Sequence, residues 1–307
     1  MKDNTFTEDI TNYIENLKKE RNAVILAHNY QRGEVQDIAD FTGDSLELAR
    51  WAVDVDADIL VVCGVDFMAE SAAILNPDKI ILHPEKEAKC PMAMMVSPSK
   101  LEKMKEDYPN ASVVSYVNTS AEVKALSDIC CTSANSVKVV NSLEEGEVIF
   151  VPDKNLAHWT SHHTTKKIIP WDGYCPTHHF LTLKDVINTK NEHPDAELLV
   201  HPECRPEVCE IADVVTSTSG MLRYVKKSEK KEFIIGTEIG LIHKMMVENP
   251  NKRFYPASEY LVCPSMKIPL ESIAKSLEEV EPIVEVEEDV RKKAMKALER
   301  MLSVWGG

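Results

Sequence analysis

Cys90, Cys175 and Cys263 each stand immediately before a proline, and they recur at steps of 85 and 88 residues. A soft ligand kept in three matched places points to a metal centre. The plain alternative is a strand-ending turn repeated by duplication. Three thiolates can bind zinc, with a histidine or water as fourth ligand. They can equally hold three corners of a [4Fe–4S] cluster and leave the fourth iron open. Proline after such a cysteine removes an amide hydrogen and fixes φ, which shapes a loop around a cluster. We take the iron–sulfur reading first and zinc as its alternative. An open iron would act as a Lewis acid toward a hydroxyl or carboxylate. The adjacent Cys130 and Cys131, and Cys204 with Cys209, lack counterparts at matched positions and are read as buried thiols.

Three further stretches share one register: HNYQRGEVQDIADFTGDS (28–45), YVNTSAEVKALSDICCTS (116–133) and HPECRPEVCEIADVVTST (201–218). Each carries a Glu-Val pair at the same offset, and each has an aspartate twelve residues after its first: Asp40, Asp128 and Asp213. Each opens where an apolar run ends, so alternate residues face one side: His28 with Tyr30, Tyr116 with Asn118, His201 with Glu203. Each closes on a hydroxyl residue, namely Ser45, Ser133 and the Ser217-Thr218 pair, at a turn into a helix. Exposed N–H groups there, with the hydroxyl, make a neutral anion site. An ordinary helix cap is the alternative.

The elements that must position these residues follow from the apolar runs. AVILAHNY, ASVVSYVN and AELLVHPE read as buried strands, as do DILVVCG, EVIFVPD and EFIIGTE further on. Helical patterns such as EVQDIADF and SLELARWAV lie between them. Strand–helix–strand alternation at this spacing predicts a parallel sheet flanked by helices. Short strands then run into the three Cys-Pro loops. The chain is thus an α/β protein of three homologous domains, expected to close around a pseudo-threefold axis. The repeats cover 20–105, 106–190 and 191–270, with an N-terminal helix in 1–19 and a helical extension in 271–307. Functional loops follow the C-terminal ends of parallel strands, so the reactive residues should converge on one central site.

With 307 residues the chain can bury a substantial core. A net charge of −15 disfavours nucleic acid or anionic membrane as partners. No run approaches the roughly 18 apolar residues of a membrane span, and the polar start has no secretory core. We therefore expect a cytoplasmic protein with reduced thiols.

Together and in order, HNYQ, YVN, TSAN, VPDKNLA, GYCPTH, HPEC, STSG and LVCPSM resemble the quinolinate synthases of NAD biosynthesis, over nearly the whole chain. The resemblance implies three α/β domains around a pseudo-threefold axis and a [4Fe–4S] cluster bound by one cysteine from each. It implies condensation of iminoaspartate with dihydroxyacetone phosphate, losing phosphate and two waters to give pyridine-2,3-dicarboxylate, and an aspartate-oxidising enzyme upstream. Some members carry a CxxCxxC run at the last ligand; CPSM here offers only Cys263, which argues against a dithiol switch.

For that chemistry Tyr30 and Glu203 are the candidates for proton transfer, with His28 and His201 orienting substrate or sharing a proton. Tyr116 and Asn118 would bind carboxylate and hydroxyl groups, and His178 of the CPTH motif would line the site. Ser45, Ser133, Ser217 and Thr218 would hold anions. His162, His163 and His179 could mimic a zinc set, but HHTTKK (162–167) reads as a polar surface loop, and Lys154 reads as either an anion holder or a surface ion pair. Two other readings stay open: an iron–sulfur hydro-lyase on a small hydroxy acid, and a cluster-binding sensor without turnover.

Overall fold

The computed structural model describes residues 2–304, with side chains from residue 8 onward. Residues 1 and 305–307, at the outer ends of the expected terminal segments, lie outside the described residues.

Among the described residues, twelve strands form three four-stranded sheets. The first contains β1 (Ala23–His28), β2 (Phe41–Gly43), β3 (Ile59–Cys63) and β4 (Ile80–Leu82). The second contains β5 (Ser112–Tyr116), β6 (Ile129–Cys131), β7 (Glu147–Val151) and β8 (Lys167–Pro170). The third contains β9 (Glu197–Val200), β10 (Val214–Val215), β11 (Glu232–Gly236) and β12 (Arg253–Pro256). All pairings are parallel, and the orders are β2-β1-β3-β4, β6-β5-β7-β8 and β10-β9-β11-β12. The architecture is therefore α/β with one topology used three times.

Side-chain alternation explains how the sheets meet. Leu26, Leu60 and Val62 of the first sheet share a core with Val114, Val148 and Phe150 of the second and with Leu199, Phe233 and Ile235 of the third. Their neighbours in sequence point outward into separate clusters, such as Ile25 and Val61, Val113 and Ile149, and Leu198 and Ile234. A period of two lets each strand serve both faces. Burying each large aliphatic or aromatic side chain contributes about 1.5–3 kcal/mol, so the shared inner core ties the units together.

The aspartate of each repeated block is structural. Asp40, Asp128 and Asp213 accept the N–H groups of Ile25, Val113 and Leu198 at 2.7, 2.7 and 2.8 Å. Each also donates its own backbone N–H to the carbonyl of the same residue. The valine of each Glu-Val pair, Val35, Val123 and Val208, is fully buried.

The short edge strands β2, β6 and β10 fall inside the repeated blocks, just before the closing turn, where no strand was expected. Two or three residues cannot display a period. The terminal helices close the body. Lys2–Arg21 packs with Leu270–Glu279 over the outer face of the first sheet, through Ile14, Leu17, Ile273 and Leu277. Glu288–Ser303 packs Ala294, Ala297, Leu298 and Met301 into the central core. No helix among the described residues is long and apolar enough to cross a membrane.

Candidate functional site

The loops after β1, β5 and β9 and the three Cys-Pro loops meet at one cavity. Its wall contains His28, Tyr30, Ser45, Tyr116, Asn118, Ser133, His178, His201, Glu203 and Thr218, together with Cys90, Cys175 and Cys263. Ser217 is the one candidate outside the wall. It caps the helix Thr218–Lys227, its side chain accepting the Gly220 N–H at 3.2 Å. Neither lysine nor arginine is among the residues that line the cavity, so the protein's own donors to an anion there are neutral.

Tyr30 is held by contacts from two repeats. Gln36 Nε2 donates to the carbonyls of Asn29, Gln31 and Gly240, and Lys267 Nζ donates to the Tyr30 carbonyl at 2.7 Å. A Cβ at Gly240 would come within 2.6 Å of that same oxygen, so this close approach requires glycine.

His28 and His201 are built alike. The Tyr30 N–H donates to His28 Nδ1 at 3.2 Å, and the Glu203 N–H donates to His201 Nδ1 at 3.3 Å. Accepting at Nδ1 leaves the proton on Nε2, where His201 meets Ser133 Oγ at 3.1 Å. Burial pulls both imidazoles down to about 3, against the opposing pull of Glu203, so both are neutral near pH 7.

Glu203 is buried and receives a hydrogen bond from the Tyr116 hydroxyl, and its Oε2 lies 2.7 Å from His178 Nδ1. Burial works against its charge, but His201, His178 and these hydrogen bonds hold it below the usual carboxylate range. From His178 the line continues: Nε2 lies 2.8 Å from Thr237 Oγ1, which lies 2.6 Å from the Tyr30 hydroxyl. Burial, reinforced by Glu203, pushes the Tyr30 and Tyr116 phenols well above 10.

The three helix starts are not equivalent. Asp44 caps the helix Ser45–Asp54 and accepts the N–H groups of Leu46 and Glu47, so these donors are unavailable to a ligand at Ser45. That differs from the anion site expected there. The sign was legible as a capping box, Asp44 to Glu47. Thr218 opens its helix with only the Gly220 N–H taken by the cap. Asn118 Oδ1 is buried without a hydrogen-bond partner.

Asp44, Thr132, Thr177, Val65, Phe67 and Met266 also line the cavity; of these, Asp44 alone carried a signal in the sequence, as a helix cap. His162 and His163 are exposed, their Nδ1 atoms bonded to helix carbonyls. Lys154 pairs with Asp172 at 2.8 Å on the surface. Cys130, Cys131 and Cys204 are buried, and all eight cysteines are free thiols.

The quinolinate synthetase A protein family model matches residues 12–303. Quinolinate synthase of Thermodesulfovibrio yellowstonii is 57% identical over 290 residues, 94% of this chain and 96% of that protein. Quinolinate synthase 1 of Methanosarcina acetivorans is 57% identical over 297 residues, covering 96% and 98% of the two chains. The Methanosarcina barkeri quinolinate synthase is 58% identical over 292 residues, covering 95% and 96%. With such identity along nearly its entire length, this chain is an enzyme and belongs to the quinolinate synthase family.

Proposed function

We propose that this cavity condenses iminoaspartate with dihydroxyacetone phosphate to quinolinate, with loss of phosphate and two waters, around a [4Fe–4S] cluster held by Cys90, Cys175 and Cys263. The observation that carries the proposal is the meeting of these three cysteines with the proton-handling residues on one cavity wall. The donor set suits a cluster better than a single ion. Zinc–thiolate bonds of about 2.3 Å in a tetrahedron would bring the sulfurs to roughly 3.8 Å of one another. Among the described residues, the set of possible ligands with donor atoms all within 4.8 Å is Cys175, His178 and Glu203, and the three cysteines are not such a set. When bound, a cluster with three protein ligands supplies one iron with an open position, a Lewis acid toward a substrate oxygen.

The chain's own groups supply the rest. Glu203, ionised, is suited to take a proton from substrate. Tyr30, a neutral phenol, is suited to give one to a departing hydroxide. His28 and His201 offer Nε2–H donors, and Tyr116 and Asn118 can orient carboxylates. Ser133 and the opening turn beneath Thr218 are suited to the phosphate or a carboxylate. Burial of the wall keeps bulk water away from an imine that hydrolyses readily.

An enzyme that oxidises aspartate would supply the imine, and a cytosolic setting would keep the eight thiols reduced. Anaerobically purified protein should be brown and hold about four irons per chain. Supplied with dihydroxyacetone phosphate and freshly generated iminoaspartate, it should form quinolinate; an intact-cluster preparation that forms none overturns the proposal.

A further inference from the structure

The third strand of each repeat leads into an acidic residue: Asp66 after β3, Asp153 after β7 and Glu238 after β11. In every repeat that carboxylate accepts the backbone N–H of the Cys-Pro cysteine. Cys90 N lies 3.1 Å from Asp66 Oδ1, Cys175 N lies 2.9 Å from Asp153 Oδ2, and Cys263 N lies 3.2 Å from Glu238 Oε1. The partners are 24, 22 and 25 residues apart, so each bond closes a long loop rather than a turn.

A second bond runs the other way beside each of these. The N–H groups of Asp66, Lys154 and Ile239 donate to the carbonyls of Ala88, Gly173 and Leu261 at 2.9, 2.8 and 2.9 Å. Each of those carbonyls belongs to the residue two before the cysteine. The same carboxylates also accept from the first turn of the following helix: Phe67 N at 2.9 Å, Leu156 N at 2.7 Å and Gly240 N at 2.7 Å. One acid thus joins a strand end, a helix start and a cysteine loop, three times over.

We propose that Asp66, Asp153 and Glu238 are positioning residues whose carboxylates fix the three Cys-Pro loops, and so set the separation of the sulfurs before any metal arrives. The choice of an acid has a chemical reason. Because proline follows each cysteine, the cysteine N–H is the last backbone donor before an interruption, and burying it without an acceptor is costly. Asp153 meets its two donors with separate oxygens, Oδ1 for Leu156 and Oδ2 for Cys175. Glu238 likewise uses Oε2 for Gly240 and Oε1 for Cys263, and Oε1 also pairs with Lys267 Nζ at 2.7 Å. At these two positions, where the donors lie on separate oxygens, an amide with its one acceptor oxygen cannot serve both. Asp66 differs, since Oδ1 alone receives Phe67 N and Cys90 N.

That difference supplies an internal control. In the metal-free full chain, alkylation of each cysteine by iodoacetamide is followed by mass spectrometry in wild type, D66N, D153N and E238Q. Loss of one charge-assisted bond should raise local loop opening about tenfold, so D153N should speed modification of Cys175 alone and E238Q of Cys263 alone. D66N should leave Cys90 near its wild-type rate. Rates that do not change, or that rise together at all three cysteines, overturn the proposal. The link to cluster binding rests on the function proposed above, and iron uptake reads it separately. If wild type takes up no iron, that function fails while the alkylation pattern still decides the positioning role. If wild type loads and D153N and E238Q load as fast, the pre-set sulfur separation is wrong.

Discussion

Tyr30 and Glu203 are joined by an unbroken line of side chains: the Tyr30 hydroxyl to Thr237 Oγ1, Thr237 to His178 Nε2, and His178 Nδ1 to Glu203 Oε2, at 2.6, 2.8 and 2.7 Å. The donors can all point one way. Tyr30 O–H donates to Thr237, Thr237 O–H donates to His178 Nε2, and His178 Nδ1–H donates to Glu203. An acid from the first repeat and a base from the third are thereby linked without water. Replacing Thr237 with valine keeps the shape but breaks the line. The change removes both hydrogen bonds of the Thr237 hydroxyl, each costing about 1–3 kcal/mol when a buried partner is left unmade, so kcat for quinolinate formation should fall by at least roughly tenfold with KM little changed. Unchanged kcat would mean that the line carries no proton during turnover.

Glu203→Gln tests the base directly. The amide keeps an acceptor for Tyr116 or His178 but cannot take a proton. We expect kcat to fall by about 10²–10⁴, with iron content and thermal unfolding close to wild type. Single-turnover rates distinguish this outcome from a defect in product release.

How legible these residues were depends on how locally their signals are written. The strands β1, β5 and β9 were readable because a mainly apolar run ends in a reactive turn, and the first and third residues of HNY, YVN and HPE then fall on the cavity side. Repetition did the rest, since one histidine at a strand end says little and three matched pairs say much. Thr237 was not readable: it is a lone threonine whose partners come from other repeats. The acids that hold the cysteine amides were hidden among 50 acidic residues, and their bonds close over more than twenty positions. Their one trace was the matched ending of EVIFVPD and EFIIGTE, which only alignment of the repeats brings out.

Acid should loosen the fold through His28. Its imidazole is lowered from 6.5 to about 3, mainly by burial, with Lys267 lowering it further and Glu203 opposing. Between those values the unfolded chain binds a proton that the folded chain refuses, so the stability is present above pH 6.5 and is lost as pH falls toward 3. This one group accounts for about 2 kcal/mol between pH 6.5 and 5. Urea unfolding at the two pH values should show a decline that is smaller in H28N by about that amount. An equal decline in both proteins would place the acid sensitivity elsewhere.

Asp128 occupies the same register as Asp40 and Asp213, yet its carboxylate faces no part of the cavity and holds the Val113 N–H at 2.7 Å, at the start of β5. Its own N–H returns to the Val113 carbonyl at 3.0 Å, and its carbonyl accepts from Arg300 of the C-terminal helix at 2.7 Å. Alanine at 128 keeps the two backbone bonds and removes only the carboxylate, leaving the Val113 N–H without that acceptor. The expected cost is about 1–3 kcal/mol in unfolding free energy at an unchanged denaturant slope, with kcat and KM near wild type. The prediction separates two kinds of repeated residue. One kind recurs because every copy of the fold needs it, the other because three copies share one cavity. Loss of activity in a stably folded D128A protein would assign Asp128 to the second kind and refute the division drawn here.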